Sequence, residues 1–363
     1  MNVMILGCGQ LSRLMALEGK ALNYEFTFVA IENEPTDCVE GLGQIVRWNR
    51  NMSVDSLLQV SGIPDVVTVE RENIDSQFLF ELSLQTKMYP RPEAVSTCQN
   101  RLKEKLALSK LNVPATPWLP VNDKFQLESA VVGYGFPVVI KAYNNGYDGK
   151  NQWHIHKQAE LDELLENEEP VNWIVEPKID FQTEASIIAA RSVSGEITLY
   201  PITENFHQSG ILRRSIAPID GLSEEKAREI KNAMIHILES WKYVGVLTME
   251  VFITEHGFMI NELAPRVHNS GHWTLNQSIT SQFENHLRAI TDKPLGSTRS
   301  DSVNGMLNIL GGSNLIEVEN NFEGELVMYN KANQLGRKLG HLNFVDSCRH
   351  NLLSKMAQAE SRI

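Results

Sequence analysis

Residues 1–90 alternate between short apolar runs and segments with helical spacing, and this alternation restricts the possible folds more than any other feature of the chain. Asn2–Leu6 and Phe26–Ile31 predict strands, separated by a glycine turn and a helix over Leu11–Leu22. A later strand is predicted over 65–69. Strands that alternate with helices form a parallel sheet covered by helices on both faces. The alternation therefore predicts an α/β fold.

Length and charge limit the class of protein. The chain has 363 residues, which predicts two or three compact units rather than one core. Its 33 basic and 45 acidic residues leave a net charge of −12, which argues against a protein that binds nucleic acid or an anionic membrane. A small phosphorylated substrate remains compatible with this charge because it needs only a local basic pocket.

Several features predict a cytoplasmic globular protein. No apolar run approaches the roughly 20 residues that cross a bilayer. Met1–Leu6 runs into a glycine turn, which predicts a first strand rather than a signal peptide. The cysteines at 8, 38, 98 and 348 are scattered without a CxxC pair. This spacing indicates reduced thiols and neither disulfides nor a zinc site.

Prolines divide the rest of the chain. A boundary is predicted at Tyr89–Pro92, where two prolines interrupt the alternating pattern. Thr97–Leu111 predicts one helix, after which Pro114 and Pro117 open a new unit. From residue 291 onward, short strands and turns end in a helix.

A strand that ends in a lysine precedes a turn rich in asparagine and glycine. The apolar run Phe136–Ile140 is closed by Lys141, and Asn145–Lys150 forms the turn. A cation and free backbone N–H groups in a turn are typical of polyphosphate binding. The turn also carries a tyrosine, an aspartate and a second lysine. The segment therefore predicts a nucleotide site next to a reacting partner.

Two glutamates predict a metal site. Glu250 lies in one predicted strand, and Glu262 follows Asn261 at the end of the next strand. A hairpin places such residues side by side. Two carboxylates with an amide oxygen suit a magnesium ion that bridges phosphate oxygens. The alternative is a solvated pair of glutamates at a sheet edge, but the flanking strands are apolar and favour the metal.

Two polar segments follow. Ala264–Trp273 contains arginine, histidine, asparagine and serine, which are natural ligands for an anion such as bicarbonate or phosphate. A polar surface loop is the alternative. Gly336–His341 places two cations between glycines, and the residues alone leave open a site or an exposed hairpin.

The first glycine turn carries an ambiguous motif. Gly7–Ser12 is similar to a dinucleotide fingerprint, but Ser12 stands where the third glycine is expected. Glu32 closes the second strand, as a ribose partner would. A turn that binds some other phosphate, or a tight connection between strand and helix, fits equally well.

The motifs and their order resemble one family across nearly the whole chain, namely the N5-carboxyaminoimidazole ribonucleotide synthetases of the ATP-grasp superfamily. The blocks that carry the resemblance are GCGQLSRL, VERENID, QNRLKEK, VVIKAYNNGYDGKNQW, VEPKIDFQTEASII, TENFHQSGILRRSIAP, YVGVLTMEVFIT, NELAPRVHNSGHWT, TSQFENHLRAI and GRKLGHLNF.

The resemblance implies an ATP-grasp ligase with three parts: a Rossmann-like domain over 1–95, an ATP-grasp domain over 96–290 with its lid at 115–180, and a β-rich part over 291–363. It implies ATP-dependent carboxylation of 5-aminoimidazole ribonucleotide with bicarbonate, through carboxyphosphate, in purine biosynthesis. ADP and phosphate would be released, with ATP and Mg²⁺ required. A cytoplasmic homodimer is also implied.

The resemblance also implies roles for individual residues. Nucleotide contacts are implied for Arg101, Lys141, Gly146, Tyr147, Asp148, Gly149, Lys150, Asn151, Gln152, Glu176, Pro177, Lys178, Ile179, Glu184, His207, Asn261 and Glu262. Metal ligation is implied for Glu250 and Glu262. Carboxylation is implied for Tyr147, Asp148, Lys150, Arg266, His268 and Lys338. Ribonucleotide contacts are implied for Gln10, Leu11, Glu72, Asn73, Lys331, Arg337 and Lys338.

Within these roles, we expect Asp148 to take the proton from the weakly nucleophilic amine and Lys338 to help hold the anionic intermediate. The chain departs from the family pattern at Cys8, Ser12, Arg71, Asn145, Asn151 and Pro177.

Two alternative functions remain at this stage. One is another ATP-grasp enzyme, such as formate-using glycinamide ribonucleotide transformylase or biotin carboxylase. The other is a dinucleotide-dependent dehydrogenase or a nucleotide sensor without catalysis.

Overall fold

The computed structural model describes residues 1–144, 146, 151–275, 279–313 and 323–362. Their strands form three sheets. Within these ranges, no helix combines the length and the apolar character that a bilayer crossing requires. The predicted α/β class is confirmed.

The amino-terminal sheet is parallel, with strand order β3-β2-β1-β4. Its strands are largely buried, as expected for a parallel sheet with helices packed on its faces. The elements are β1 (Asn2–Leu6), α1 (Gln10–Gly19), β2 (Glu25–Ile31), β3 (Gln44–Trp48), α2 (Val54–Ser61), β4 (Val66–Val69) and α3 (Ser76–Gln85).

A buried carboxylate occupies the amino-terminal end of α1. Glu70 Oε2 accepts hydrogen bonds from the backbone N–H groups of Gly9 at 2.7 Å and Ser12 at 3.0 Å. The Ser12 hydroxyl donates to the Gly7 carbonyl at 2.8 Å. A helix amino terminus attracts one anion, and here that anion is the chain's own side chain. This contact favours the alternative of a tight connection between strand and helix over a dinucleotide site.

The single helix predicted over Thr97–Leu111 is wrong. Two helices cover this region, α4 (Pro92–Cys98) and α5 (Arg101–Lys110). Asn100 between them has an extended backbone, and its side chain accepts a hydrogen bond from the Lys103 N–H at 3.0 Å. An asparagine in this position caps a new helix, which is why the chain restarts there.

A smaller antiparallel sheet follows, with strand order β5-β8-β6-β7. Two helices pack against the apolar face of this sheet. The elements are β5 (Leu119–Val121), α6 (Lys124–Tyr134), β6 (Val138–Ala142), β7 (Gln152–Ile155), α7 (Gln158–Asn167) and β8 (Trp173–Pro177).

The largest sheet has nine described strands, paired antiparallel. The strands after residue 291 continue this sheet because β15 pairs with β12. The division into domains stays a prediction. The elements are β9 (Thr183–Arg191), β10 (Ile197–Leu199), β11 (Thr203–Gln208), β12 (Ile211–Ala217), α8 (Glu224–Ser240), β13 (Gly245–Thr254), β14 (Gly257–Ala264), α9 (Gln282–Ile290), β15 (Val303–Leu310), β16 (Glu325–Met328), β17 (Lys338–Asp346) and α10 (Arg349–Glu360).

The contact between Glu70 and the first glycine turn leads to a stability prediction. A Cβ atom at Gly9 would lie 2.1 Å from Glu70 Oε1. We expect Gly9→Ala to lower the free energy of unfolding by about 1–3 kcal/mol through this overpacking, measured by urea denaturation.

Gly133→Ala is the matched control. Gly133 lies within α6, and a Cβ atom there would meet no atom within 4 Å. We expect this change to stabilise the protein by about 0.5–1 kcal/mol, because alanine favours helices more than glycine does. Equal stability of the Gly9→Ala variant and the wild type would contradict the packing described for Glu70.

Candidate active site

Glu250 and Glu262 face each other across the β13–β14 hairpin. They are register partners, and the pairing shifts between Glu250 and Val251, as in a β-bulge. Burial and the nearby Glu262 carboxylate raise the pKa of Glu250 to about 7. The expectation that a hairpin brings these two carboxylates together is confirmed.

The pair fits a magnesium ion that also binds nucleotide phosphates. Carboxylate oxygens are hard ligands, and Mg²⁺ commonly uses only one or two of them beside phosphate and water oxygens. Two adjacent carboxylates also repel each other until a cation lies between them. Among the described residues, no group of three or more acidic, histidine or cysteine side chains forms a metal cage of its own. The role of Glu250 and Glu262 as ligands stays a prediction.

A buried ion network connects the small sheet to this hairpin. Glu176 on β8 receives Lys141 Nζ at 2.7 Å and Lys105 Nζ at 2.8 Å. Burial opposes ionisation of Glu176, but the two lysines hold its pKa at about 2. Lys141 also donates to Asn261 Oδ1 at 3.2 Å, and Lys105 donates to the Asn261 carbonyl at 3.2 Å. Two predicted nucleotide residues, Lys141 and Asn261, therefore lie in direct contact.

Sequence reasoning missed Lys105, Glu104 and Thr116. Thr116 donates to Glu176 Oε1 at 2.8 Å, and Glu104 Oε2 accepts from the Leu263 N–H at 3.2 Å. Burial and the Glu262 carboxylate raise the pKa of Glu104 to about 8. The sequence pattern gave little indication of these residues, because adjacent charged residues on a helix usually face solvent. Here both Lys105 and Glu104 are buried.

Arg101 lies at the start of the predicted nucleotide loop. Its guanidinium donates to the Ala142 carbonyl at 2.8 Å, at the end of the lysine strand β6. A Cβ atom at Gly146 would lie 1.8 Å from Arg101 Nη2, so a larger residue there would displace the Arg101 guanidinium. Tyr147, Asp148, Gly149 and Lys150 lie outside the described residues.

Glu184 and His207 form a pair at the side of the hairpin. His207 Nδ1 lies 2.5 Å from Glu184 Oε2. Burial lowers the pKa of His207, but the hydrogen bond with Glu184 and the charges of Glu250 and Glu184 together outweigh it, and the net shift is upward. Both side chains line a narrow cleft with Glu250 and Asn261. The structure therefore brings these four predicted residues together.

His268 and Arg266 extend the cluster toward the amino-terminal domain. His268 Nε2 lies 3.3 Å from Glu250 Oε1, and Arg266 Nε lies 2.9 Å from Glu72 Oε1. Burial, Arg266 and Lys338 lower the pKa of His268 well below its usual value. The residues that follow, Asn269–Thr274, form a buried 3₁₀ helix. The surface-loop alternative for this segment is therefore wrong.

A cavity of about 370 Å³ lies between the amino-terminal parallel sheet and the segment that precedes β17. Lys331 Nζ donates to Gln10 Oε1 at its wall, and Arg71 Nη1 lies 3.3 Å from Glu34 Oε1. Three cations and three carboxylates line it together with an amide: Arg71, Lys331, Arg337, Glu34, Asp37, Glu70 and Gln10. Three cations around one cavity suit a phosphorylated ligand.

The remaining predicted residues lie at varied positions. Leu11 packs in the core and Asn73 is exposed, and the structure brings neither to the wall of the cavity. Pro177 ends β8, and the Lys178 N–H donates to the Pro137 carbonyl at 3.0 Å. Ile179 is half-buried, Asn151 is exposed, and Gln152 lies 2.8 Å from His154. Lys338 is buried at the start of β17, so the exposed-hairpin alternative for Gly336–His341 is wrong.

Three stretches of the chain match known families. Residues 1–99 match the ribonucleotide synthetase preATP-grasp domain, 106–283 the ATP-grasp domain, and 304–355 the C-terminal domain of phosphoribosylaminoimidazole carboxylase. With the carboxylate hairpin and the lysine strand, these matches define an ATP-grasp ligase.

Comparisons over the whole chain identify the family within the ATP-grasp ligases. N5-carboxyaminoimidazole ribonucleotide synthase of Pseudomonas aeruginosa is 34% identical over 100% of this chain and 99% of its own. The crystal structure of the Thermus thermophilus synthetase has a TM-score of 0.90 at 34% identity, covering 99% of this chain and 98% of that one. An Aspergillus clavatus synthase in complex with ADP and 5-aminoimidazole ribonucleotide has a TM-score of 0.88 at 25% identity, covering 99% and 97%. The chain belongs to the N5-carboxyaminoimidazole ribonucleotide synthase family.

The buried ion network leads to a second stability prediction. Glu176→Gln would remove the anion that two buried lysines share. We expect the free energy of unfolding to fall by about 3–5 kcal/mol, because a buried charge left unpaired is costly. Denaturant unfolding measures this loss.

Glu128→Gln is the matched control, since Glu128 pairs with Lys124 at 3.8 Å on the exposed face of α6. Surface pairs of this kind contribute about 0–1 kcal/mol. Equal losses in the two variants would show that the Glu176 network does not stabilise the fold.

Proposed function

We propose that this chain uses ATP and bicarbonate to carboxylate the amine of 5-aminoimidazole ribonucleotide. The products are N5-carboxyaminoimidazole ribonucleotide, ADP and phosphate, and the product serves purine biosynthesis. The observation that carries the proposal is the continuity of the polar cluster. It runs from Lys141 and Asn261 to the paired glutamates, then from Glu250 to His268.

The cluster then reaches the cavity through Arg266. This residue pairs with Glu72 at 2.9 Å, and Glu72 follows Arg71, which lines the cavity. A nucleotide at Lys141 and a ribonucleotide in the cavity would therefore meet at His268 and Arg266. Proximity of two bound reactants accounts for a large part of catalysis in a ligase.

The first chemical step activates bicarbonate. Bicarbonate is a poor electrophile. Attack of one of its oxygens on the ATP γ-phosphate, with ADP leaving, makes that same oxygen part of a phosphate leaving group. Lys141 and Arg101 are placed to bind phosphate oxygens as negative charge redistributes. Mg²⁺, when bound to Glu250 and Glu262, would neutralise charge on the phosphates.

The second step forms a bond between the carboxyl carbon and the ribonucleotide amine. The bond from that carbon to the phosphate oxygen breaks, and phosphate leaves. The amine is weakly nucleophilic because its lone pair delocalises into the ring, so a base must remove its proton. We propose Asp148 for this task. Arg266 and Lys338 are cations near His268 and would hold the anionic carboxyl donor.

We also propose Mg²⁺ as the metal, a homodimer as the assembly and the cytoplasm as the compartment. Within the described part of the chain, the four cysteines are free thiols, as expected in a reducing compartment.

Release of ADP tests the proposed function. We expect ADP release by the purified protein to require Mg²⁺ and bicarbonate and to rise at least tenfold when 5-aminoimidazole ribonucleotide is added. Carboxyphosphate that forms without the ribonucleotide is hydrolysed by water. A site that closes only over both substrates avoids this loss, so turnover should be faster when the ribonucleotide is present.

Parallel assays with formate replacing bicarbonate separate the rival ligases. Formate-dependent ADP release would indicate a transformylase instead. A rate of ADP release that does not change on addition of the ribonucleotide, at any bicarbonate concentration, would contradict the proposed substrate.

A further inference from the structure

Two groups of Ser270 contact one nitrogen of the His268 ring and together fix where the ring proton lies. The backbone N–H of Ser270 donates to His268 Nδ1 at 3.3 Å, and the Ser270 hydroxyl lies 2.9 Å from the same nitrogen. A ring nitrogen that accepts a hydrogen bond carries no proton. The proton of the ring is therefore on Nε2, which lies 3.3 Å from Glu250 Oε1.

A row of buried polar side chains continues from Ser270 under the sheet. Ser270 Oγ lies 2.8 Å from Ser186 Oγ, Asn205 Nδ2 donates to Ser186 Oγ at 3.0 Å, and Ser215 donates to Asn205 Oδ1 at 2.8 Å. Ser186, Ser215 and Ser270 are fully buried, and Asn205 is 3% exposed. We call Ser215, Asn205, Ser186 and Ser270 the serine relay.

The serine relay has one direction that satisfies all its members. A hydroxyl donates one proton. Because the Asn205 amide donates to Ser186, the Ser186 proton is available to Ser270, and the Ser270 proton to His268 Nδ1. In the reverse direction, Nδ1 would carry the proton and donate it to the Ser270 hydroxyl. The backbone N–H of Ser270 already donates to Nδ1 and opposes that arrangement.

The strand register ties the relay to the paired glutamates. Ser186 on β9 is the register partner of Glu250 on β13, and Asn205 on β11 is the partner of Ser215 on β12. Ser186 therefore lies beside Glu250 in the sheet and also supplies a hydroxyl of the serine relay. Backbone pairing holds both groups, which suits a rigid support for a reacting group.

We propose that the serine relay is a positioning network that keeps the His268 proton on Nε2, the nitrogen that lies 3.3 Å from the Glu250 carboxylate. In this state neither ring nitrogen has a free lone pair, so His268 orients the Glu250 carboxylate and does not act as the base. Partners that orient a ligating carboxylate commonly change metal affinity or activity by 10–100-fold, an order of magnitude that we expect here. The catalytic consequence rests on the proposed function, whereas the position of the proton does not.

Nitrogen NMR of the metal-free protein tests the proposal without any substrate. The protein is labelled with [¹⁵N]histidine, and the His268 signals are assigned by their loss in His268→Gln. We expect a protonated Nε2 and an unprotonated Nδ1. A protonated Nδ1 in the wild type would overturn the proposal.

Two relay variants extend the test. Ser270→Ala leaves only the backbone hydrogen bond on Nδ1, which at 3.3 Å is too long to hold one tautomer by itself. Ser186→Ala removes the partner that directs the Ser270 hydroxyl. We expect both to give a mixture of the two tautomers and to lower kcat about ten- to a hundredfold, with the KM for ATP changed less than about threefold.

Ser192→Ala is the matched control, because Ser192 is also buried and its hydroxyl accepts from the Glu196 N–H at 3.0 Å, outside the relay. We expect it to keep the wild-type tautomer and turnover. Relay variants with an unchanged tautomer would overturn the proposal, whether or not their turnover falls, since a fall alone would show only a packing role.

Discussion

The pairing of Glu250 with Glu262 is the constraint around which the rest of the site is built. The hairpin register places two carboxylates opposite each other. Like charges in that position destabilise a sheet. The surrounding groups reduce this cost, since His268 Nε2 lies 3.3 Å from Glu250 Oε1. Burial and Glu262 also raise the pKa of Glu250 to about 7, which favours its uncharged form. A site that retains such repulsion is suited to a cation that arrives with a nucleotide.

Glu176 performs a second structural task. Its carboxylate joins Lys141 on β6 to Lys105 on α5, and both lysines reach Asn261 on β14. The small sheet and the carboxylate hairpin are therefore held together by one buried anion. A nucleotide phosphate that approaches Lys141 meets a cation whose position this network already determines.

The class of fold and the carboxylate hairpin could be predicted from the sequence because both depend on local periodicity. Apolar runs that alternate with helical segments identified β1 and β2, and apolar strands flanking Glu250 and Glu262 predicted their hairpin. The helix break at Asn100 was missed because no glycine or proline marks it between Thr97 and Leu111.

Other features depend on contacts between residues far apart in the chain. Glu70 caps α1 from 58 positions away, and Ser186 meets Ser270 across 84 positions. Nothing local distinguishes these residues from solvent-exposed ones, and the same holds for the burial of Lys105. The resemblance to a family supplied a list of site residues, but the partners of those that the structure describes became visible only there.

Isotope transfer from bicarbonate to phosphate measures the central chemical claim most directly. The protein is incubated briefly with ATP, 5-aminoimidazole ribonucleotide and [¹⁸O]bicarbonate, and the released phosphate is examined by ³¹P NMR. Attack of a bicarbonate oxygen on the γ-phosphate predicts one ¹⁸O atom in each phosphate formed. Phosphate without ¹⁸O, released together with ADP while the bicarbonate is still labelled, would contradict the proposed activation of bicarbonate.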